Sequence, residues 1–292
     1  MSSPKAILLR VGGISLAAVG LCLLWFQQSG LQGQQPPKQP LTVQKVTDRL
    51  WVIMNNASGN VAVLPTQEGV LLVDDKFEQD APEILAKVKA ISDQPIKYIL
   101  NTHQHGDHTG GNAFMLKNTP AEIVIHKNAR ANMVAGHQPG LPQITFADEA
   151  QVFVGGQEVS AHHLGRGHTN GDAVILFPGE RVLHTGDLFV NGSAPFIDYS
   201  AKGSLVDWDQ TLDRVLQLDF DIVIPGHGPV AKKADLMKWR NSIAELRSRA
   251  KAACAGGAAD AVKRLSLAGL NMDNSLGFLD RSMPGICAEL AN

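Results

Sequence analysis

The chain has 292 residues, enough for one large domain with an appendage and for an ample buried core. Its formal charge is -2, and 44% hydrophobic with 18% charged residues is the balance of a compact globular protein, which excludes a disordered chain. No block of Lys or Arg stands out, so nucleic acid is not an expected partner.

The first 40 residues differ from the rest. Lys5 and Arg10 precede "VGGISLAAVGLCLLWF", and a Gln- and Pro-rich stretch, "QQSGLQGQQPPKQP", follows. A positive region before an apolar one reads as an export signal over residues 1–33, cleaved after "LQG" at Gly33, or as an uncleaved membrane anchor. Residues 34–42 read as a linker. Export places the chain in the periplasm or on the outer face of the cytoplasmic membrane. Two cysteines then remain, Cys254 and Cys287, either as one disulfide or as two buried thiols.

From residue 43 onward strands and helices alternate. "LWVIMNNASGNVAVLPTQEGVLLVDD" predicts three short strands. "APEILAKVKAIS" has helical spacing, with Asp80 as its cap and Pro82 in the first turn. "IKYILNTH" is an apolar strand, and "AEIVIHKNARANMV" a strand followed by a helix. "QVFVGGQEVSAHHL" and "DAVILFPGERVLHTGDLFV" read as hairpins turned at Gly-Gly and Pro-Gly. "VDWDQTLDRVLQLDF" is an amphipathic helix and "DIVIPGHG" a buried strand ending in a turn. After residue 232 the pattern is helical, first in "ADLMKWRNSIAELRSRAKAACA" and more weakly in "DAVKRLSLAGL". Mixed strands with interspersed helices point to α/β layers.

Ionisable side chains gather at the strand exits. "NTHQHGDHTGGN" places His103, His105, Asp107 and His108 just past a strand. Residues two apart in extended chain point the same way, so His103 and His105 face one ion; the turn at Gly106 re-aims Asp107 and His108. Four ligands from one tight loop close a tetrahedron poorly, so further ligands are expected elsewhere. "GRGHTNGD" offers His168, "HTGDLF" offers Asp187 and "PGHG" offers His227. The other five histidines, 126, 137, 162, 163 and 184, read mainly as packing or loop residues, with His184 and one of the pair 162/163 as candidates for holding the ligands in place.

The order HxHxDH, GHT, GD, GHG resembles the metallo-β-lactamase superfamily over roughly residues 43–230. The resemblance implies an α/β fold, a four-layer αβ/βα sandwich, with a catalytic domain over 43–231 and a C-terminal helical extension over 232–292. It implies that His103, His105 and His168 bind one metal, that Asp107, His108 and His227 bind a second, and that Asp187 bridges them. Imidazoles and carboxylates without thiolate suit two Zn²⁺ per chain, with Fe or Mn also compatible. Two divalent metals, two aspartates and a bridging hydroxide leave a net charge of about +1, which favours an anionic small-molecule substrate or a developing oxyanion. The implied reaction is attack of that hydroxide on the carbonyl of an ester, thioester, lactone or amide, with Asp107 orienting it. β-Lactamases of the best-known subclass carry Cys where Asp187 stands and Lys three residues later, where this chain has Val190. A bridging Asp is similar to glyoxalase II-type thioesterases and to lactonases, whose Tyr is again Val190 here, with Tyr199 a distant substitute. Lactam hydrolysis and an iron-dependent redox reaction, as in the sulfur dioxygenases of this fold, are the alternatives. The oligomeric state is not readable.

Overall fold

A computed structural model describes residues 37–291, so the expected signal segment lies outside the described residues. Thr42–Lys45 (β1), Trp51–Met54 (β2), Val61–Pro65 (β3) and Val70–Val73 (β4) form an antiparallel run. Helix Ala81–Ile91 (α1) then leads to strand Ile96–Asn101 (β5). Two short helices, Gly106–Thr109 (α2) and Asn112–Asn118 (α3), precede strand Glu122–His126 (β6), helix Lys127–Ala135 (α4) and strand Ile144–Phe146 (β7). β4 to β7 are parallel, and the seven strands lie in sequence order in one sheet.

The second sheet starts with two hairpins. Glu149–Val154 (β8) pairs with Gln157–His162 (β9), and Val174–Phe177 (β10) with Val182–His184 (β11). Gly155 and Gly156 turn the first hairpin with φ +55° and +74°, the positive pair that a two-residue turn requires. Helix Leu205–Val215 (α5) crosses to strand Ile222–Ile224 (β12), which lies parallel to β11, and Ala231–Lys232 (β13) closes the edge. Helices Lys233–Cys254 (α6), Ala261–Arg264 (α7) and Phe278–Leu290 (α8) complete the chain.

Period-two alternation explains the layering. In β3, Ala62 and Leu64 pack between the sheets while Val61 and Val63 pack outward under α1; β4 repeats this with Leu71 and Val73 against Val70 and Leu72. In β10, Ile175 and Phe177 face the other sheet, and Val174 and Leu176 face the layer of α5, α6 and α8. Strands buried on both faces need a helical cover on each sheet, and the result is the expected four-layer αβ/βα sandwich. Trp208 on α5 is fully buried in the outer layer; removing its side chain would cost on the order of 3–5 kcal/mol.

Three readings from sequence change. The Asp80 side chain caps no helix; its Oδ2 accepts from Ser58 Oγ at 3.3 Å instead. The weak helix in "DAVKRLSLAGL" shrinks to the four residues of α7. α8, which the sequence pattern did not single out, buries Leu279, Ser282, Met283, Ile286 and Cys287 along one stripe despite Pro284. Cys254 and Cys287 are joined, fixing the end of α6 to α8. Among the described residues no helix is long and apolar enough to cross a membrane.

Candidate metal centre

The centre forms where chain exits from the two sheets meet. β5 delivers His103 and His105, α2 carries Asp107 and His108, β11 delivers Asp187, and β12 delivers His227. His168 sits on the turn between β9 and β10. All seven side chains singled out from the sequence come together in two clusters with a carboxylate between them.

In the first cluster, His168 Nε2 is 3.2 Å from His103 Nε2 and 2.7 Å from His105 Nδ1. The outer nitrogens face acceptors. His168 Nδ1 donates to Phe196 O at 2.7 Å, and His105 Nε2 to Asp198 Oδ2 at 2.9 Å. Thr102 Oγ1 donates to Asp74 Oδ2, so it is left to accept from His103 Nδ1 at 3.1 Å. These bonds assign the ring protons to the outer nitrogens. The three inner nitrogens then aim lone pairs at one another, an arrangement that a cation resolves.

The second cluster has more charge. His108 Nε2 lies 3.3 Å from His227 Nε2, and Asp107 Oδ2 is 3.1 Å from His227 Nε2. His108 Nδ1 faces Asp74 Oδ2 at 2.8 Å. Asp187 stands between the clusters. Its Oδ1 is 3.2 Å from His108 Nε2 and 3.4 Å from His227 Nε2, while Oδ2 is 3.6 Å from His168 Nε2. Asp187 Oδ1 is buried yet has no hydrogen bond. Within each of the sets His103/His105/His168, His103/His108/Asp187 and Asp107/His108/His227, candidate ligand atoms lie within 4.8 Å of one another. The residues therefore fit a pair of metal ions on two grounds: converging lone pairs and an unpartnered buried carboxylate oxygen.

The electrostatics separate the clusters. Burial pushes His103 well below the ordinary histidine range, and His168 is also lowered by burial and by His105. Burial acts the same way on His108, but Asp187, Asp107 and Asp74 outweigh it and push it well above that range. His227 is likewise raised to about 9, with Asp187 and Asp107 overcoming its burial. Burial resists charge on Asp187, yet His227 and His108 hold it well below the carboxylate range. The field around the second cluster thus favours positive charge.

The scaffold explains the motif glycines and the tryptophans. A Cβ at Gly226, in "PGHG", would lie 2.0 Å from Asp187 Oδ1, so only glycine lets β12 pass the carboxylate. Leu188 O, directly after Asp187, accepts from Trp208 Nε1 at 3.1 Å and Trp239 Nε1 at 2.9 Å, which ties this loop to the outer helices. His184 supports the same loop: Gly186 N donates to its Nδ1, and its Nε2 donates to Asn60 O. His163 Nδ1 faces Asp172 O, His162 faces Ser160 Oγ, and His126 stacks on His163. Tyr199 sends its hydroxyl to Glu289.

Sequence reading missed Asp74, Asp198 and Thr102. Asp74 had a signal, since "LLVDD" is another apolar strand ending in acid, like the exit that carries Asp187. Asp198 had none, because its partner is 93 residues away.

A profile of the metallo-beta-lactamase superfamily matches residues 55–227. Metallo-beta-lactamase type 2 of Elizabethkingia meningoseptica is 25% identical over 236 residues, covering 75% of this chain and 91% of that protein. The 2,4-dinitroanisole O-demethylase subunit alpha of Nocardioides sp. (strain JS1661) is 24% identical over 249 residues, 80% of this chain and 68% of that one. Among solved structures, a metallo-beta-lactamase from Pontibacter korlensis aligns with TM-score 0.61 and 24% identity over 68% of this chain and 96% of its own. DIM-1 metallo-beta-lactamase aligns with TM-score 0.62 and 20% identity, covering 71% and 98%.

Proposed function

The chain belongs to the metallo-beta-lactamase superfamily and is a metal-dependent hydrolase, and from that premise we propose that it is an exported enzyme using two zinc ions to hydrolyse a carbonyl substrate: an ester, thioester, lactone or amide. The observation that carries this reading is Asp187, with one oxygen turned to each cluster. His103, His105 and His168 would hold one ion and Asp107, His108 and His227 the other. The metals would supply a water acidic enough to attack at neutral pH and polarise the carbonyl.

The protein's own groups do the rest. The side chains of Asp107, His227 and His105 are 24%, 29% and 23% exposed, whereas His103, His108 and His168 are buried, so the opening to solvent spans both clusters. Asp107, partly exposed at that opening, would orient the attacking water by accepting its hydrogen bond. Asp74, Thr102, Asp198 and Phe196 O keep the ring nitrogens in register. Val190, three residues after Asp187, is buried among apolar neighbours and supplies no cation for a lactam carboxylate. This favours a carbonyl substrate other than a lactam. The Cys254–Cys287 disulfide supports export, because such bonds persist in oxidising compartments.

Metal analysis and a substrate panel test the reading. Two zinc ions per chain, with turnover of a thioester, lactone or simple ester above that of nitrocefin, is the expected result. One iron per chain with oxygen uptake would overturn it in favour of redox chemistry.

A further inference from the structure

One loop holds two histidines of the first cluster. Within residues 194–204, Phe196 O accepts from His168 Nδ1, Asp198 Oδ2 accepts from His105 Nε2, and Asp198 N donates to His168 O at 2.9 Å. α8 grips that loop from behind. Ile197 N donates to Ser282 Oγ at 2.9 Å. Glu289 gathers three donors: Tyr199 Oη at 2.8 Å, Leu205 N at 3.0 Å, and Ser204 Oγ. Ser204 is also the cap of α5, accepting from Asp207 N at 3.0 Å, so its hydroxyl is committed on both sides. The Tyr199 ring packs against bare backbone, since a Cβ at Gly285 would come within 2.1 Å of Tyr199 Cδ2. Cys287, one turn before the end of α8, is bonded to Cys254 of α6. None of α8 lies within the residues that the superfamily profile matches.

We propose that Glu289 is a positioning residue for the first metal cluster, acting through the 194–204 loop, and that the Cys254–Cys287 disulfide keeps α8 docked so that it can act. The proposal rests on the two-metal reading above. A carboxylate with three donors makes bonds stronger than neutral ones, and each donor belongs to the loop or to the helix start that ends it. Free of Glu289, the loop gains freedom, and the Phe196 carbonyl and the Asp198 carboxylate no longer hold the two rings at one angle. The second cluster takes its support from Asp74 at the end of β4, which α8 does not touch through any of these bonds. The effect is therefore one-sided.

The test titrates the chelator-stripped full chain with Co²⁺ and follows its visible bands, with Tm measured alongside. The unaltered chain should take up two equivalents. Glu289→Ala should weaken one equivalent by about tenfold, the low end for losing a group that supports metal ligands, and leave the other nearly unchanged. Glu289→Gln keeps one acceptor oxygen and should fall between the two. The Cys254→Ser/Cys287→Ser double variant should weaken the same equivalent, and this should be the one that survives in an Asp107→Ala background. If Glu289→Ala does not fold, Glu289→Gln and the cysteine variant carry the test. Two equivalents bound as in the unaltered chain, or both weakened together in step with Tm, would overturn the proposal. An unaltered chain that binds no metal would instead overturn the two-metal reading itself.

Discussion

The two halves of the metal centre are built on different principles. The first cluster is three imidazoles whose orientation is set from outside, by a hydroxyl, a carbonyl and a carboxylate, two of them on one distant loop. The second cluster brings its own carboxylate, Asp107, and stands against Asp74 at a strand end. Burial keeps the first cluster's His103 and His168 neutral, while neighbouring carboxylates raise His108 and His227. A cluster of imidazoles alone has to be held in shape by the surrounding fold. One that includes a carboxylate also attracts its cation by charge.

The most damaging change to both halves is at the carboxylate they share. Asp187→Ala should cut hydrolysis by on the order of a thousandfold or more and reduce bound zinc below two per chain, measured by turnover and metal analysis. Unaltered stoichiometry would mean that Asp187 does not bridge. Next comes Asp107→Ala, which belongs to the second cluster alone. Turnover should fall by roughly 10²- to 10⁴-fold while the first equivalent of metal binds as before; full retained activity would reject Asp107 as the group that orients water.

Smaller changes sharpen the contrast. Asp198→Asn and Asp74→Asn each remove a charged partner from one ligand ring and should each weaken metal affinity by about 10- to 100-fold. Metal titration should assign the Asp198→Asn loss to the first cluster. Asp74 faces His108 directly and His103 only through Thr102, so Asp74→Asn should weaken the second equivalent more than the first. If Asp74→Asn weakens mainly the same equivalent as Asp198→Asn, the clusters are not separately supported.

The last contrast is in pH dependence and needs no substitution. A raised histidine pKa means that the metal-free second cluster binds protons below about 9 at His227, and these must leave before a metal enters. Affinity there should drop by roughly tenfold for each unit that pH falls below that value, per proton displaced. The first cluster is already neutral at His103 and His168, so its affinity should change less between pH 9 and 7. Equal slopes for the two equivalents, measured by competition with a chromophoric chelator, would erase the distinction.

Much of this was legible in the sequence for local reasons. Apolar strands running into the HxHxDH, GD and GHG motifs marked six ligand candidates, the GHT motif marked His168, and the Gly155–Gly156 turn marked a hairpin, because these signals lie within a few adjacent residues. Asp80 misled because its side chain turns to Ser58, a contact that the sequence near the helix start does not encode. α8 carries Pro284 and Gly285, two residues that ordinarily weaken a helical pattern. In the fold Pro284 sits on an exposed face of the helix, and Gly285 is the landing place of Tyr199.

The sequence by itself determined the α/β layering and the seven side chains that cluster, because alternation, turn glycines and strand-end motifs are short-range patterns, while the four-layer sandwich followed from the resemblance of the motif order to the superfamily. Only the tertiary structure decided how each ring is held, that Cys254 and Cys287 pair, and that α8 reaches the loop behind the first cluster. Those are contacts across tens of residues. They depend on which faces meet once both sheets have closed on a common core, and no local pattern carries that information.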